Sequence, residues 1–144
     1  PSDTLQVRNV RSSFRSDSLV VRLKNKERII LPADSVWGIA YKNGITYRYY
    51  RKQFYYVRQL DSIAIYSQHH SGYKNSHTCY YFSKTPDSDI YILKLNNLAQ
   101  QFPNDTCFIN SVKREIRWFQ SYASYDKSKK SYRIVEIYKK CKAK

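Results

Sequence analysis

The first two thirds of the chain alternate short β-branched or aromatic runs with polar, turn-forming segments, a pattern that predicts strands. Ser18–Leu23 and Arg28–Leu31 are two such runs, and the spacer Lys24-Asn25-Lys26-Glu27 suits a hairpin loop. Pro32-Ala33-Asp34 then interrupts the run. Ser35–Lys42 and Ile45–Tyr50 flank Asn43-Gly44, which reads as a two-residue type I′ turn because both residues tolerate positive φ. That loop sets Lys42 opposite Ile45, Ala40 opposite Tyr47 and Gly38 opposite Tyr49, so a ring shields the glycine. Trp37, Ile39 and Tyr41 then share the other face with Thr46, Arg48 and Tyr50, and a one-residue slip would exchange the faces. Gln53–Val57 and Ser62–Tyr66 predict the next strands, turning near Gln59-Leu60-Asp61. Residues 67–77 are polar and predict a long loop. Thr78–Phe82 and Asp89–Leu93 complete the strand-rich part, separated by a turn at Lys84–Ser88.

The period then changes. Leu95, Leu98, Ala99 and Phe102 recur at helical spacing and stop before Pro103. Asn104, Asp105 or Thr106 can cap a second helix, whose stripe is Phe108, Ile109, Val112, Ile116 and Phe119, with Lys113, Arg114 and Arg117 off it. Beyond Tyr125, the spacing of Tyr132, Val135 and Tyr138 favours a third helix over a strand at Arg133–Tyr138. Strands first and helices afterwards predict an α+β fold. The expected architecture is one domain over 1–144: a largely antiparallel sheet or partly closed barrel at residues 5–93, then two to three C-terminal helices. A sheet closed by a terminal helix, as in a pleckstrin-homology barrel, is one architecture of this type and implies no function.

Charge narrows the class of partner. The 144 residues carry a net charge of +15 and include 15 tyrosines. Residues 1–93 hold 14 basic and 7 acidic side chains, while residues 94–144 hold 12 and 4, so the excess is densest at the end. There Lys127, Lys129, Lys130, Arg133, Lys139 and Lys140 form the candidate anion-binding set, with Glu136 the one acid among them. A solvated helix face with a frayed tail accounts for the same residues. No apolar run is long enough to cross a membrane as a helix. The chain opens Pro1-Ser2 and contains no methionine, which predicts a processed or trimmed chain, and removal of a signal peptide would produce it.

Three cysteines, Cys79, Cys107 and Cys141, are too few for a disulfide scaffold and match no zinc-ribbon or C-x-x-C spacing. Buried thiols are the expectation, with one bridge and a leftover thiol as the alternative. His69, His70 and His77 share a polar stretch with Cys79 and raise the question of zinc or copper. Adjacent histidines point oppositely on a strand and no carboxylate lies nearby, so solvated loop histidines are expected, with no metal and no cofactor. No G-x-S-x-G elbow, P-loop or G-x-G-x-x-G is present, carboxylate pairs are hard to nominate among 11 acids, and no catalytic residue is assigned. The expected class is therefore non-enzymatic.

Two aromatic settings remain. Trp37, Tyr41, Arg48 and Tyr50 would form a ledge for a glycan or peptide if Val36, Gly38 and Ala40 face the core, and packing beneath the C-terminal helices is the competing account. Arg48 and Arg51 among Tyr47, Tyr49, Tyr50, Tyr55 and Tyr56 would suit nucleic acid, although no RNP or DNA-binding signature accompanies them.

Asp34-Ser35-Val36-Trp37-Gly38, then Asn43-Gly44 and Tyr47-Arg48, resembles the D-S-x-W-G…G…Y-R signature of uncharacterised exported proteins of Bacteroidetes-type bacteria. Tyr80–Lys84, Leu95-x-Asn97-Leu98, Phe102-Pro103-Asn104 and Tyr125-Asp126 resemble later blocks of that group, so the resemblance spans residues 30–130. The chain departs at Ile39, where the group often has tyrosine. The resemblance implies a secreted or envelope location and no activity. Together these readings predict an exported, non-enzymatic domain that meets an anionic envelope component, glycan or protein partner, with a nucleic-acid-binding module second and a small enzyme third.

Overall fold

The computed structural model describes residues 4–12, 18–116 and 121–144. The chain divides between Tyr55 and Tyr56 into two compact units, each with an apolar cluster of its own.

In the first unit, β1 (Val7–Ser12), β2 (Ser18–Leu23) and β3 (Arg28–Pro32) form an antiparallel sheet in chain order. The β2–β3 loop falls where the sequence predicts it: Lys26 N–H donates to Leu23 C=O at 3.1 Å and Leu23 N–H to Glu27 C=O at 2.9 Å. Alternation on β2 turns Leu19 and Val21 inward, where they meet Tyr49, and Leu23, Leu31, Val36 and Phe54 pack around them. After a 3₁₀ turn at Ala33–Ser35, β4 (Gly38–Ala40) and β5 (Thr46–Tyr50) form the expected hairpin.

Its register is one residue away from the expected one. Gly38 lies opposite Arg48, Ile39 opposite Tyr47 and Ala40 opposite Thr46. The loop holds three residues, Lys42-Asn43-Gly44: Gly44 N–H donates to Tyr41 C=O at 3.0 Å and Tyr41 N–H to Ile45 C=O at 2.8 Å. Only Gly44 takes positive φ, at 87°, while Asn43 Oδ1 accepts from Ile45 N–H at 3.1 Å. Asparagine therefore spends its side chain on the turn and the glycine forms the bulge after it. Positive φ at two successive residues occurs instead at Arg51 (47°) and Lys52 (64°), between β5 and β6 (Gln53–Gln59).

In the second unit, Tyr56–Gln59 of β6 pairs with β7 (Ala64–Ser71), β7 with β8 (Ser76–Ser83), and β8 with β9 (Tyr91–Ile92), all antiparallel. Strand order is linear, and among the described residues no sheet closes into a barrel. The loop expected at 67–77 is not observed. β7 and β8 pair continuously from Ala64–Ser83 to Ser71–Ser76, and only residues 72–75 turn. Ala64, Ile65, Tyr66 and Ser67 are buried while residues 69–71 are exposed, so the core anchors one end and the backbone ladder carries the polar remainder outward.

Three helices follow, α1 (Leu95–Gln101), α2 (Thr106–Glu115) and α3 (Arg133–Lys142). Asp105 caps α2 by accepting from Phe108 N–H at 3.2 Å, satisfying a donor the helix cannot. Leu98, Phe102, Phe108, Val112, Ile116, Ile134, Val135 and Ile137 close over Ile63, Ile65 and Phe82. Phe119 and Arg117 lie outside the described residues. The third helix begins at Arg133, because Tyr125–Asp126 (β10) and Ser131–Tyr132 (β11) first make a two-rung hairpin. The expectation of three thiols is also corrected: Cys107 and Cys141 are bridged, Cα atoms 5.8 Å apart, joining α2 to α3, and Cys79 remains free.

Candidate functional site

The one-residue register difference separates the candidate ledge. Arg48 shares its face with Gly38 and Ala40, while Tyr41 packs edge-on against Tyr47 (centroids 6.0 Å apart) on the opposite face, which Trp37 continues through its C=O···H–N bond with Tyr49 (2.8 Å). Arg48 is 4% exposed, and its guanidinium sits 5.3 Å from the Tyr50 ring centre, with that of Arg51 5.2 Å from the same ring. Trp37, Tyr41, Arg48 and Tyr50 thus form no single aromatic surface.

A different aromatic and cationic cluster assembles in the second unit. Tyr56 on β6, Ser67 on β7 and Tyr80 on β8 lie opposite one another in one cross-strand row and share the sheet face that carries Ile65 and Phe82. A bulge interrupts the β6–β7 ladder: Val57 opposes Tyr66 and Gln59 opposes Ile65, leaving Arg58 no opposite number. Bulges re-aim side chains. Here Arg58 Nε donates to Ser67 Oγ at 2.7 Å and the guanidinium lies 4.4 Å from the Tyr56 ring centre. That distance is within cation–π range.

The β10–β11 hairpin covers the end of this row. Gln59 fastens it, its side-chain NH₂ donating to Ser131 Oγ at 2.9 Å while its Oε1 accepts from Tyr132 N–H at 3.0 Å. Tyr132 meets Tyr125 edge-on at 5.1 Å and Tyr80 at 6.4 Å. Burial pushes the Tyr132 phenol above its ordinary range, with the Arg58 cation opposing that shift, so the hydroxyl stays protonated at neutral pH. Tyr125 is 48% exposed and forms the outer edge.

The turn joining β10 to β11 carries Lys127, Lys129 and Lys130, all exposed. Asp126 shapes that turn: Oδ1 accepts from Ser128 Oγ at 2.6 Å, Ser128 N–H at 2.9 Å and Lys129 N–H at 3.3 Å. These bonds, the Ser128 hydroxyl first, hold the Asp126 carboxyl below its ordinary range.

The other expected anion-binding residues are differently placed. Arg133 donates to Glu115 C=O at 3.1 Å and serves the end of α2. Lys139 pairs with Asp61 at 2.6 Å and with Glu136 at 3.8 Å, and Lys142, outside the expected set, pairs with Asp105 at 2.7 Å. Lys140 is exposed on α3. The C-terminal charge is thus partly balanced by acids far away in sequence, while the lysine turn and Lys140 are exposed. His69, His70, His77 and Cys79 lie on β7 and β8 rather than in a loop, and among the described residues no group of three His, Cys, Asp or Glu side chains is already gathered to hold a metal.

Sequence reading missed Tyr56, Arg58, Tyr80, Tyr125 and Tyr132 as a set because they come from three segments. The detectable trace was Tyr125-Asp126 before three lysines. No helix among the described residues is long and apolar enough to cross a membrane. Comparison with protein-family profiles, curated proteins and solved structures gives no match.

Proposed function

We propose that the chain is an exported, non-enzymatic binding domain whose second unit takes an acidic glycan of the cell envelope. The observation that carries this reading is the lysine turn rooted in the tyrosine cluster: Lys127, Lys129 and Lys130 project from the hairpin whose two ends are Tyr125 and Tyr132. Lysines supply point charges for carboxylate or sulfate groups. The exposed Tyr125 ring offers a flat apolar face with a polar tip, which suits the C–H faces and hydroxyls of sugar rings. The Cys107–Cys141 bridge supports the export reading, because such bonds persist in oxidising compartments. The resemblance to exported proteins points the same way.

Polygalacturonate, a carboxylated polysaccharide, is the probe, and calorimetry at two salt concentrations the measurement. Replacing Lys127, Lys129 and Lys130 by alanine lowers affinity at least about tenfold, and Tyr125→Ala weakens it further at high salt, where screening within roughly 8 Å removes the charge contribution. Binding unchanged by the triple substitution overturns the assignment. Preference for single-stranded nucleic acid that survives physiological salt and polygalacturonate competition would place the chain among base-stacking proteins, a reading that Arg58 over Tyr56 would also serve.

A further inference from the structure

We propose that the outer face of the β2–β3 hairpin docks the chain on an anionic phospholipid bilayer, its cations on the lipid phosphates and Ile30 in the headgroup layer. The face belongs to the first unit and shares no residue with the lysine turn. Alternation separates the two sides of the hairpin: Leu19 and Val21 are buried, while Arg22, Arg28 and Ile30 are exposed on the other side. Arg22 lies directly opposite Arg28, and one same-face rung further from the turn Val20 lies opposite Ile30. The turn adds exposed Lys24 and Lys26. From Ser18 to Pro32 the hairpin carries four basic residues and one acid, Glu27. Among the described residues no carboxylate forms an ion pair with any of the four, and Lys24 Nζ donates instead to Gln6 Oε1 at 2.8 Å.

Like charges set directly opposite on a sheet repel. Phosphate oxygens placed between Arg22 and Arg28 relieve that repulsion through charge-assisted hydrogen bonds, for which the guanidinium fork is shaped. Lys24 and Lys26 add long-range attraction, each basic residue strengthening binding to an anionic membrane about fivefold. Charge alone would suit a free anion equally. Ile30 decides for a surface: it is 68% exposed, and half-buried Val20 across the ladder extends the apolar strip. Apolar side chains beside cations are what an interfacial element buries at the boundary between headgroups and acyl chains. The turn is fixed by its backbone bonds, and Asn25 Oδ1 accepts from Glu27 N–H at 3.1 Å, so docking orders little new structure.

The test is co-sedimentation of the full chain with vesicles of equal parts phosphatidylglycerol and phosphatidylcholine, against vesicles of phosphatidylcholine alone. The expected result is binding to the anionic vesicles that falls at least about tenfold when Arg22 and Arg28 are both replaced by glutamine. Ile30→Ser lowers it about tenfold as well, and this loss persists at high salt, where screening has removed most of the charge contribution. Lys94→Gln with Lys113→Gln removes the same charge from exposed positions of the second unit and changes binding less than about twofold. Circular dichroism of each variant verifies the fold. Equal losses in the two double-charge variants would mean attraction by net charge alone and overturn the proposal. So would Ile30→Ser binding as well as the parent chain, or displacement by inorganic phosphate at matched ionic strength, which would make the arginine pair a site for a free ion. Equal binding to the two kinds of vesicle overturns it outright.

Discussion

Gly38 is needed for its missing side chain. A Cβ built there would overlap the Tyr47 carbonyl oxygen, a backbone atom that moves only with its strand. Gly38→Ala is expected to destabilise the first unit by about 1–3 kcal/mol, the usual cost of forcing extra volume into a packed site, as read from urea unfolding. An unchanged midpoint would mean that the two strands are not held so close. The glycine was noticed in the sequence, but for a shielding ring across the strand. The actual reason, close backbone approach, depends on a register one residue away. Asp105 combines two duties, capping Phe108 N–H and pairing with Lys142. The Lys142 ammonium, then the Phe108 N–H, hold its carboxyl below the ordinary range. Its folded pKa is depressed, so its contribution is complete above the unfolded value near 4 and is lost as pH falls through the lower, folded value. Asp105→Asn keeps an acceptor at the cap but no charge. Its stability should therefore fall less steeply between about pH 5 and pH 2 than that of the parent chain, and thermal unfolding across that range measures the difference. Parallel curves would remove Asp105 as a source of acid lability.

Among the elements, the α2–α3 pair carries the clearest covalent contribution. The bridge closes a loop of sequence separation 34, and constraint of the unfolded chain by such a loop is worth about 2–4 kcal/mol. Replacing Cys107 and Cys141 by serine should lower the stability of the second unit by that amount in chemical denaturation followed by the helical signal, and an equal midpoint would show that the bridge does not form. Helices α1 and α2 were legible because Leu98, Phe102, Phe108 and Val112 recur at helical spacing and meet one core. The outer halves of β7 and β8 were not. Their side chains, including Gln68 to Ser71, have no apolar alternation, and their order comes from a ladder anchored at Ile65 and Phe82. The β10–β11 hairpin was equally hidden, since two rungs leave almost no periodic signal and Gln59 holds it from 72 residues away in sequence.

At the scale of the molecule, the net charge of +15 overstates what a partner would meet. Lys139 and Lys142 are engaged by Asp61 and Asp105, acids remote in sequence, so composition correctly announced a basic C-terminal part yet could not locate its exposed portion. The α+β class and antiparallel sheets follow from the order of strands before helices, whereas the tyrosine cluster is a tertiary product of three segments. The disulfide gives the lysine turn a further property. Residues 127–130 lie inside the span that Cys107 and Cys141 enclose. A trypsin-like protease that cuts after one of those exposed lysines would open the turn without releasing the C-terminal helix. The nicked chain would migrate as one species until reductant is added, and only then as two fragments. A lysine-rich turn on the surface invites such a cut, and its place within a covalent ring makes the cut survivable.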